Sequence, residues 1–600
     1  MKDIKTLSYA KLQELLEGIE KPGRYIDHEI GTKSCRLEEL DEKSVLAALA
    51  FPDIYEVGTP NLGLQILYDI INRHRPFSAE RVFAPWIDME EAMREKGIGL
   101  FSLENRIMLD SFDLIGFSMQ HELLYTNILN MLDLSGLEAE ADKRSPGDPV
   151  ICAGGPAAFN PAPMSSFMDF MVIGDGEEII IPVLEKLSGC RPGKIDKERF
   201  LQDISGLEGI YIPSRYKYYY TGEGKIERIE PGSKVKKATV TDLDSHSIVT
   251  RPVIPNIKAV HDRYAVEIMR GCGRGCRFCQ AGFIYRPVRS RDAAKLADQC
   301  LQGLSGTGYD EISFLSLSTS DYRGLEELIN DVAGGAEGQK LSISLPSLRL
   351  DSFGLKMAEL VQKGRKTGLT FAPEAGSQRM RDIINKNMTE AQIMEGIDSA
   401  FSRGWEKIKL YFMIGFPGET EEDIAGTANL INRIASRARD ALPRSKRRRL
   451  NINVSINVFN PKPFTPFQWA AQEEADILEK KFKMILSGVP QKYVNISWSS
   501  IRRSRIECAL SRGDDRLGKV IYDAWKAGAR FDNWTDHFDL GAWTGSFKDN
   551  KTDAGFYANR EYGADEILPW DNVDIGIKKR VFLAGYRKAL EASRQDKAGK

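Results

Sequence analysis

The 600-residue chain has no stretch approaching the ~20 apolar residues of a membrane span, and its richest runs, MDFMVIGDG and VICAGG, are only strand-length. No membrane partner is expected. The opening residues, MKDIKTLSYAKLQELLEGIE, are mixed in charge and lack the apolar heart of a signal peptide, which predicts a cytoplasmic protein. Charge of one sign is also missing. Lys and Arg number 83 against 85 Asp and Glu, a net −2, so nothing global favours nucleic acid or membrane. Histidine is scarce at six, and repeats and low-complexity tracts are absent. Of eight cysteines, Cys35, Cys152, Cys190, Cys300 and Cys508 stand alone and read as small buried hydrophobes.

What is present is strand and helix in alternation, the pattern of an α/β protein. Residues 1–44 read as a helical lead-in. Over 45–200 the segments VLAALAFPD, DLIGFSMQ, PVICAGGPAAFNP and DFMVIGDGEEIIIPVLEKL predict a doubly wound parallel sheet. Ligands bind such sheets at the carboxyl ends of the strands. Residues 201–255 carry hairpin signals and read as a β connector. Over 256–490, six strands each feeding a helix predict a parallel partial (β/α)6 barrel. Residues 491–600 form a small, aromatic-rich α+β C-terminal region.

One cluster of cysteines carries chemistry. In EIMRGCGRGCRFCQAGFIYRPVR, Cys272, Cys276 and Cys279 are spaced CxxxCxxC in a glycine-rich loop after a predicted strand. Gly271, Gly273 and Gly275 allow the tight path that lets three short side chains converge. Thiolates suit iron–sulfur clusters or zinc. A closed structural zinc site takes four ligands, and neither Cys300 nor His261 has the spacing of a fourth. Three ligands imply an open metal position, where chemistry occurs.

CxxxCxΦC, with Phe278 as its aromatic, resembles the signature of the radical S-adenosylmethionine (SAM) superfamily. The resemblance implies a [4Fe–4S] cluster on Cys272, Cys276 and Cys279, SAM on its fourth iron, and one-electron cleavage to a 5′-deoxyadenosyl radical. Later segments resemble the family's motifs in order. FLSLSTSDY occupies the place of a glycine-rich turn that meets the methionine amino group, with hydroxyls on Ser316, Ser318 and Thr319 where the family has glycines. FAPEAGSQRMRDIINKN resembles the fourth-strand segment of methylthiotransferase-like members, which makes Glu374 and Ser377 candidate SAM contacts. Arg349 and Arg379 are candidates for its carboxylate, and each of these residues has an alternative reading as a surface salt bridge or a helix cap. KLYFMIGFPGET resembles the fifth-strand motif that lays backbone at Ile414–Gly415 against adenine.

Residues 45–200 resemble the flavodoxin-like, cobalamin-binding-like domains that precede many radical SAM barrels. There Gly154, Gly155, Gly174 and Gly176 would let turns approach a corrin tail, with turn amides on its phosphate. The Asp-x-His-x-x-Gly motif for an axial histidine is missing, and His121 reads as a packing or capping residue before a ligand. The layout as a whole resembles an uncharacterised bacterial family of fused cobalamin-binding-like and radical SAM proteins. It implies a transferase, cobalamin-dependent methylation being favoured, on an unknown substrate with a flavodoxin- or ferredoxin-like electron donor. A methylthiotransferase-like enzyme acting on RNA or a ribosomal protein is the alternative; it needs a second cluster, for which Cys35, Cys152 and Cys190 are the only candidates. An RNA-binding protein with a structural cluster is another, resting on the basic run at Arg447, Arg448 and Arg449. At the C-terminus, Trp525, Trp534, Trp543 and Trp570 with Asp532, Asp536, Asp571 and Asp574 either cover the barrel mouth or staple a small domain to the barrel, and His537 is a candidate proton carrier.

Overall fold

A computed structural model describes residues 4–41, 44–190, 195–246, 248–336, 341–346, 369–490 and 492–598. Six strands form the first sheet: β1 (Val45–Phe51), β2 (Phe77–Phe83), β3 (Leu114–Ser118), β4 (Val150–Gly154), β5 (Phe170–Val172) and β6 (Ile210–Tyr211). Their order is β2-β1-β3-β4-β5-β6, parallel except for the β5–β6 pair. All seven residues of β1 are buried, as in a parallel strand covered on both faces. One face packs under helices Leu62–Arg73 and Ile180–Gly189. The other packs under Ile87–Lys96 and Tyr125–Leu134.

β2 escapes the sequence reading because FSAERVF carries Glu80 and Arg81 on a strand that is wholly buried. Both charges are satisfied inside. Arg81 pairs with Glu29 and Glu104, while Glu80 accepts from Ser102 and Asn105. Among its described residues the lead-in has one α-helix, Tyr9–Leu16, and two short 3-10 turns, Pro22–Arg24 and Leu37–Glu39; it wraps the first sheet, with Arg24 on Glu56 and Glu29 on Arg81.

The connector holds the hairpin β7 (Lys217–Tyr220) and β8 (Ile226–Glu230) and the short β9 (Val235–Lys236). Next come β10 (Tyr264–Glu267), β11 (Met269–Arg270), β12 (Arg289–Ser290), β13 (Glu311–Leu315) and β14 (Ser342–Ser344). β10, β13 and β14 pair in parallel. β15 (Leu369–Glu374), β16 (Lys407–Ile414), β17 (Asn451–Val458) and β18 (Val494–Trp498) form a four-stranded parallel sheet. The expected six barrel strands are present, and β18 adds a seventh beyond residue 490. None of its five residues is buried, because it is the sheet's edge. Alternate residues of each strand, such as Ile408, Leu410 and Phe412, pack against the outer helices. Two of those helices start on capping boxes, Thr389 with Gln392 and Thr420 with Asp423.

After β18 the C-terminal region is mainly helical, with a two-residue strand, β19 (Val573–Asp574), beside β9. Its aromatics mostly turn toward the first sheet instead of the barrel mouth. Trp534 donates to Asp53, Trp525 to Asn130, and Asp532 accepts from Thr126 and Trp543. Trp570 donates to Gln468, on the barrel side. One hydrophobic core therefore runs from the first sheet through this region to the barrel. Among the described residues, no helix is long and apolar enough to cross a membrane.

Candidate iron–sulfur and SAM site

The three cysteines lie where the chain leaves the carboxyl end of β10, in an excursion closed by the antiparallel β11–β12 pair. Gly271 has φ +87°, and a Cβ there would meet the carbonyl oxygens of Tyr285 and Pro287 at 2.6 and 2.7 Å. Only glycine fits. The rest of the loop is braced by side-chain donors on backbone carbonyls. Arg286 Nε donates to Cys272 O (3.1 Å) and Gly282 O (2.9 Å), and Asn385 Nδ2 to Gly275 O (2.8 Å). Arg277 reaches across to Asp382 O and Ile383 O. Lys237, from the connector, donates its ammonium to Ile284 O (2.8 Å) and Arg286 O. Burial pushes that ammonium down to about 8. Arg286, Asn385 and Lys237 are braces that the sequence reading missed, since no pattern marks a distant donor to a carbonyl.

Cys272, Cys276 and Cys279 are half-buried, and none of them is in a disulfide. Burial, then the fields of Cys276 and Cys272, push the Cys279 thiol up to about 11. A thiol that resists ionisation becomes a thiolate only with a compensating cation, so metal binding and deprotonation are linked at Cys279. Among the described residues, no three His, Cys, Asp or Glu side chains stand close enough to grip a single metal ion. The donor set, three soft thiols that feel one another on a preformed glycine cradle, fits a multi-iron body.

The other expected contacts are distributed unevenly. Phe278 stacks 5.6 Å from Phe416, which lies 5.2 Å from Phe459, giving an aromatic wall beside the loop. Ser316 Oγ is 2.9 Å from Thr319 Oγ1, and the Ser318 hydroxyl is buried without a partner. Glu374 sits at a β-bulge with φ +67° and accepts from Lys386 (3.1 Å). A non-glycine residue held there stores strain of the kind found at functional sites. Ser377 caps the helix that follows, accepting from Met380 N and donating to Asp423. Arg379 is committed to Asp423 and to the carbonyls of Gly418 and Ser593, so it is a clamp on the C-terminal helix and not a carboxylate receptor. Arg349 lies outside the described residues. Ile414 is buried under the helices, and Gly415, at φ +86°, donates to Glu419. Burial pushes the Glu419 carboxyl up to about 7, against the pull of Lys481.

A cavity of about 480 Å³ joins the two halves. Gly154, Gly155, Gly174 and Gly176 line it from the first sheet, and Gly271 and Ser316 from the cysteine side. Its walls are mainly apolar, with Leu49, Leu67 and Ile180 among them. Arg270, on β11, bridges the rim, bonded to Glu267 at the end of β10 and to Asp175 and Glu177 of the facing turn. The glycines serve the chain before any ligand. A Cβ at Gly155 would stand 2.7 Å from Met119 O, and one at Gly174 would collide with Ala238 O. His121 does not line this cavity; burial lowers it, and its nearest charges are Glu507, Glu122, Lys462 and Asp53. Cys35, Cys152 and Cys190 are buried in two different cores, Cys35 apart from the other pair. His537 is wedged against Trp86.

Residues 266–431 match the sequence family described as the radical SAM superfamily, and residues 63–213 match that of radical SAM proteins, N-terminal. The chain belongs to the radical SAM superfamily, whose enzymes use a [4Fe–4S] cluster and SAM. An uncharacterised protein of Methanocaldococcus jannaschii is 28% identical over 79% of this chain and 90% of its own length. A tRNA-2-methylthio-N(6)-dimethylallyladenosine synthase of Chromohalobacter salexigens is 27% identical over 37% of this chain, which spans about half (48%) of that enzyme. Among solved structures, the radical SAM methyltransferase TsrM of Kitasatospora setae, with cobalamin and a [4Fe–4S] cluster bound, superposes at a TM-score of 0.47 and 14% identity. It covers 71% of this chain and 77% of its own.

Proposed function

We propose that Cys272, Cys276 and Cys279 hold a [4Fe–4S] cluster at which SAM is cleaved, and that the 480 Å³ cavity takes part of a corrinoid for methylation of a substrate. The observation that carries this is the continuity of one apolar cavity from the glycine turns of the first sheet to Gly271 of the cysteine loop. When bound, the cluster supplies one electron and an open iron for the sulfonium cosubstrate. The chain's own residues do the rest. Arg286 and Lys237 fix the loop by bonding its carbonyls, and Arg277 ties it to the carbonyls of Asp382 and Ile383. Glu374 and the hydroxyls of Ser316 and Ser318 offer acceptors and donors for a polar cosubstrate. Phe278 and Phe416 exclude water on one side. The apolar walls suit a planar organic moiety, and the cavity's size lies within the roughly 300–1,000 Å³ of small-molecule sites. A one-electron donor of the flavodoxin or ferredoxin class completes the reaction.

Methylation and methylthiolation, the latter the chemistry of the tRNA-modifying relative, are the two candidate chemistries. The separation of Cys35 from Cys152 and Cys190 into different cores favours the first. The basic run, the patch for an RNA or ribosomal partner, lies just before β17, at the strand end opposite the cysteine loop.

Anaerobic reconstitution with iron and cobalt analysis tests the reading. About four irons and one cobalt per chain are expected. Four irons without cobalt would remove the corrinoid, and about eight irons would bring back a second cluster. Cys276→Ala should lose both iron and SAM cleavage; a variant that still cleaves SAM would sink the assignment.

A further inference from the structure

The barrel's inner face is unlike the packed interior of a closed (β/α)8 barrel, which is filled by Val, Ile and Leu. On β16, Ile408, Leu410, Phe412 and Ile414 are buried under the helices, so Lys407, Lys409 and Tyr411 face the concave side. Register places Thr370, Lys409, Asn453 and Asn495 in one row across the four strands. Lys409, Asn453 and Asn495 are exposed. Water therefore reaches the middle of the sheet from its concave side.

The row is built almost wholly of donors. Asn495 Nδ2 donates to the amide oxygens of Asn451 (2.9 Å) and Asn453 (3.3 Å), which turns the amino groups of those two outward as donors. Lys409 stands over the Tyr411 ring at 4.8 Å, and among the described residues neither Lys407 nor Lys409 pairs with a carboxylate. Ammonium and amide donors without a carboxylate partner among the described residues complement a group that only accepts, a phosphate or a carboxylate. Lys409 is five residues below Ile414, about 16 Å at roughly 3.3 Å per residue. An anion held in the row reaches the cysteine end only if its carrier is elongated.

We propose that this row anchors the phosphate or carboxylate end of an elongated substrate, Lys409 and Asn453 making the chief contacts. The anchor rests on the reading that radical chemistry occurs at the strand ends near the cysteine loop. Binding energy gained at such a distance from the reacting carbon can orient it.

Isothermal titration of the reconstituted holoprotein with pyrophosphate, and separately with glutarate, distinguishes the two anion sources. Saturable binding of one of them is expected, weakened at least tenfold by Lys409→Met and by Asn453→Leu. Arg448→Glu, in the exposed basic run, should leave it within twofold. Absence of saturable binding to either anion, undiminished binding by both row variants, or loss confined to Arg448→Glu would overturn the proposal. Iron content and SAM cleavage are measured on the same samples. Anion binding that needs Lys409 in a protein that cleaves no SAM would support the anchor while removing the radical reading.

Discussion

The two glycine-rich turns that face each other across the cavity are held by opposite means. The cysteine loop is held largely by side chains, since Arg286, Asn385 and Lys237 donate to its carbonyls and its own Arg277 donates outward to Asp382 O and Ile383 O. The turn after β5 is held by backbone. Asp175 N donates to Ala238 O, Ala238 N to Ile173 O, and Gly174 bridges Ala238 with no room for a Cβ. Donors on long stems can give by a few tenths of an ångström as a loop closes on a cluster. Backbone pairing at zero clearance cannot. The molecule thus sets an adjustable wall opposite a fixed one.

Volume at Gly174 should break the fixed wall. Gly174→Val places a branched side chain at φ +116° against Ala238, and we expect a loss of about 2–4 kcal/mol. Thermal unfolding would read it, together with loss of any cobalt bound by the wild type. A midpoint within a degree of wild type would mean that the turn moves freely and the contrast fails. Lys237→Met makes the reverse change, keeping volume and removing the donor. Two carbonyls lose their buried partner, worth about 1–3 kcal/mol. Cluster content should drop in this variant while the cavity turn is untouched. Equal iron in Lys237→Met and wild type would show that the loop does not need the brace.

The fifth-strand turn repeats the side-chain strategy with a proton attached. Glu419 accepts from Gly415 N (2.7 Å) and Lys481, and its carboxyl is pushed up to about 7 by burial. A native value above the unfolded one of about 4.3 means the folded state binds more protons between them. Stability from this group is full below about pH 4.5 and lost as pH rises through about 7. Glu419→Gln should flatten that slope, which is of order 1–3 kcal/mol across the window. Urea midpoints at pH 5 and pH 8 measure it, and an unchanged slope would place the titration elsewhere.

Much of this was legible in sequence because the strongest signals are local. The cysteine triplet, the strand–helix alternation and the glycine turns each occupy a few consecutive residues. What was hidden depends on partners distant in the chain. β2 reads as polar until Glu29 and Glu104 arrive to pair Arg81. Arg379 offers a free fork in sequence, yet Asp423 and Ser593, from elsewhere in the fold, consume it. Gly174 suggests a ligand's approach, while its crowding comes from Ala238, 64 residues on. Residue type announces capacity; only the fold says whether that capacity has been spent.

The smallest effect tests which side the C-terminal region serves. Its tryptophans could have roofed the barrel, but Trp534 Nε1 donates to Asp53 (3.0 Å) at the end of β1, beside Asn533 Nδ2 (2.7 Å). Burial pushes the Asp53 carboxyl up, and these two donors oppose that push. Trp534→Phe removes one donor and some ring area at a half-buried site, so about 1 kcal/mol should be lost. The consequence ought to be confined to the first sheet. Hydrogen exchange should quicken in β1 and around Asp53 and stay at wild-type rates in the cysteine loop, whose braces come from Lys237, Arg277, Arg286 and Asn385. Faster exchange in residues 271–288 would mean that the fixed wall is transmitting strain to the adjustable one. In that case the two walls would be a single mechanical unit, and the division between side-chain and backbone support would lose its meaning.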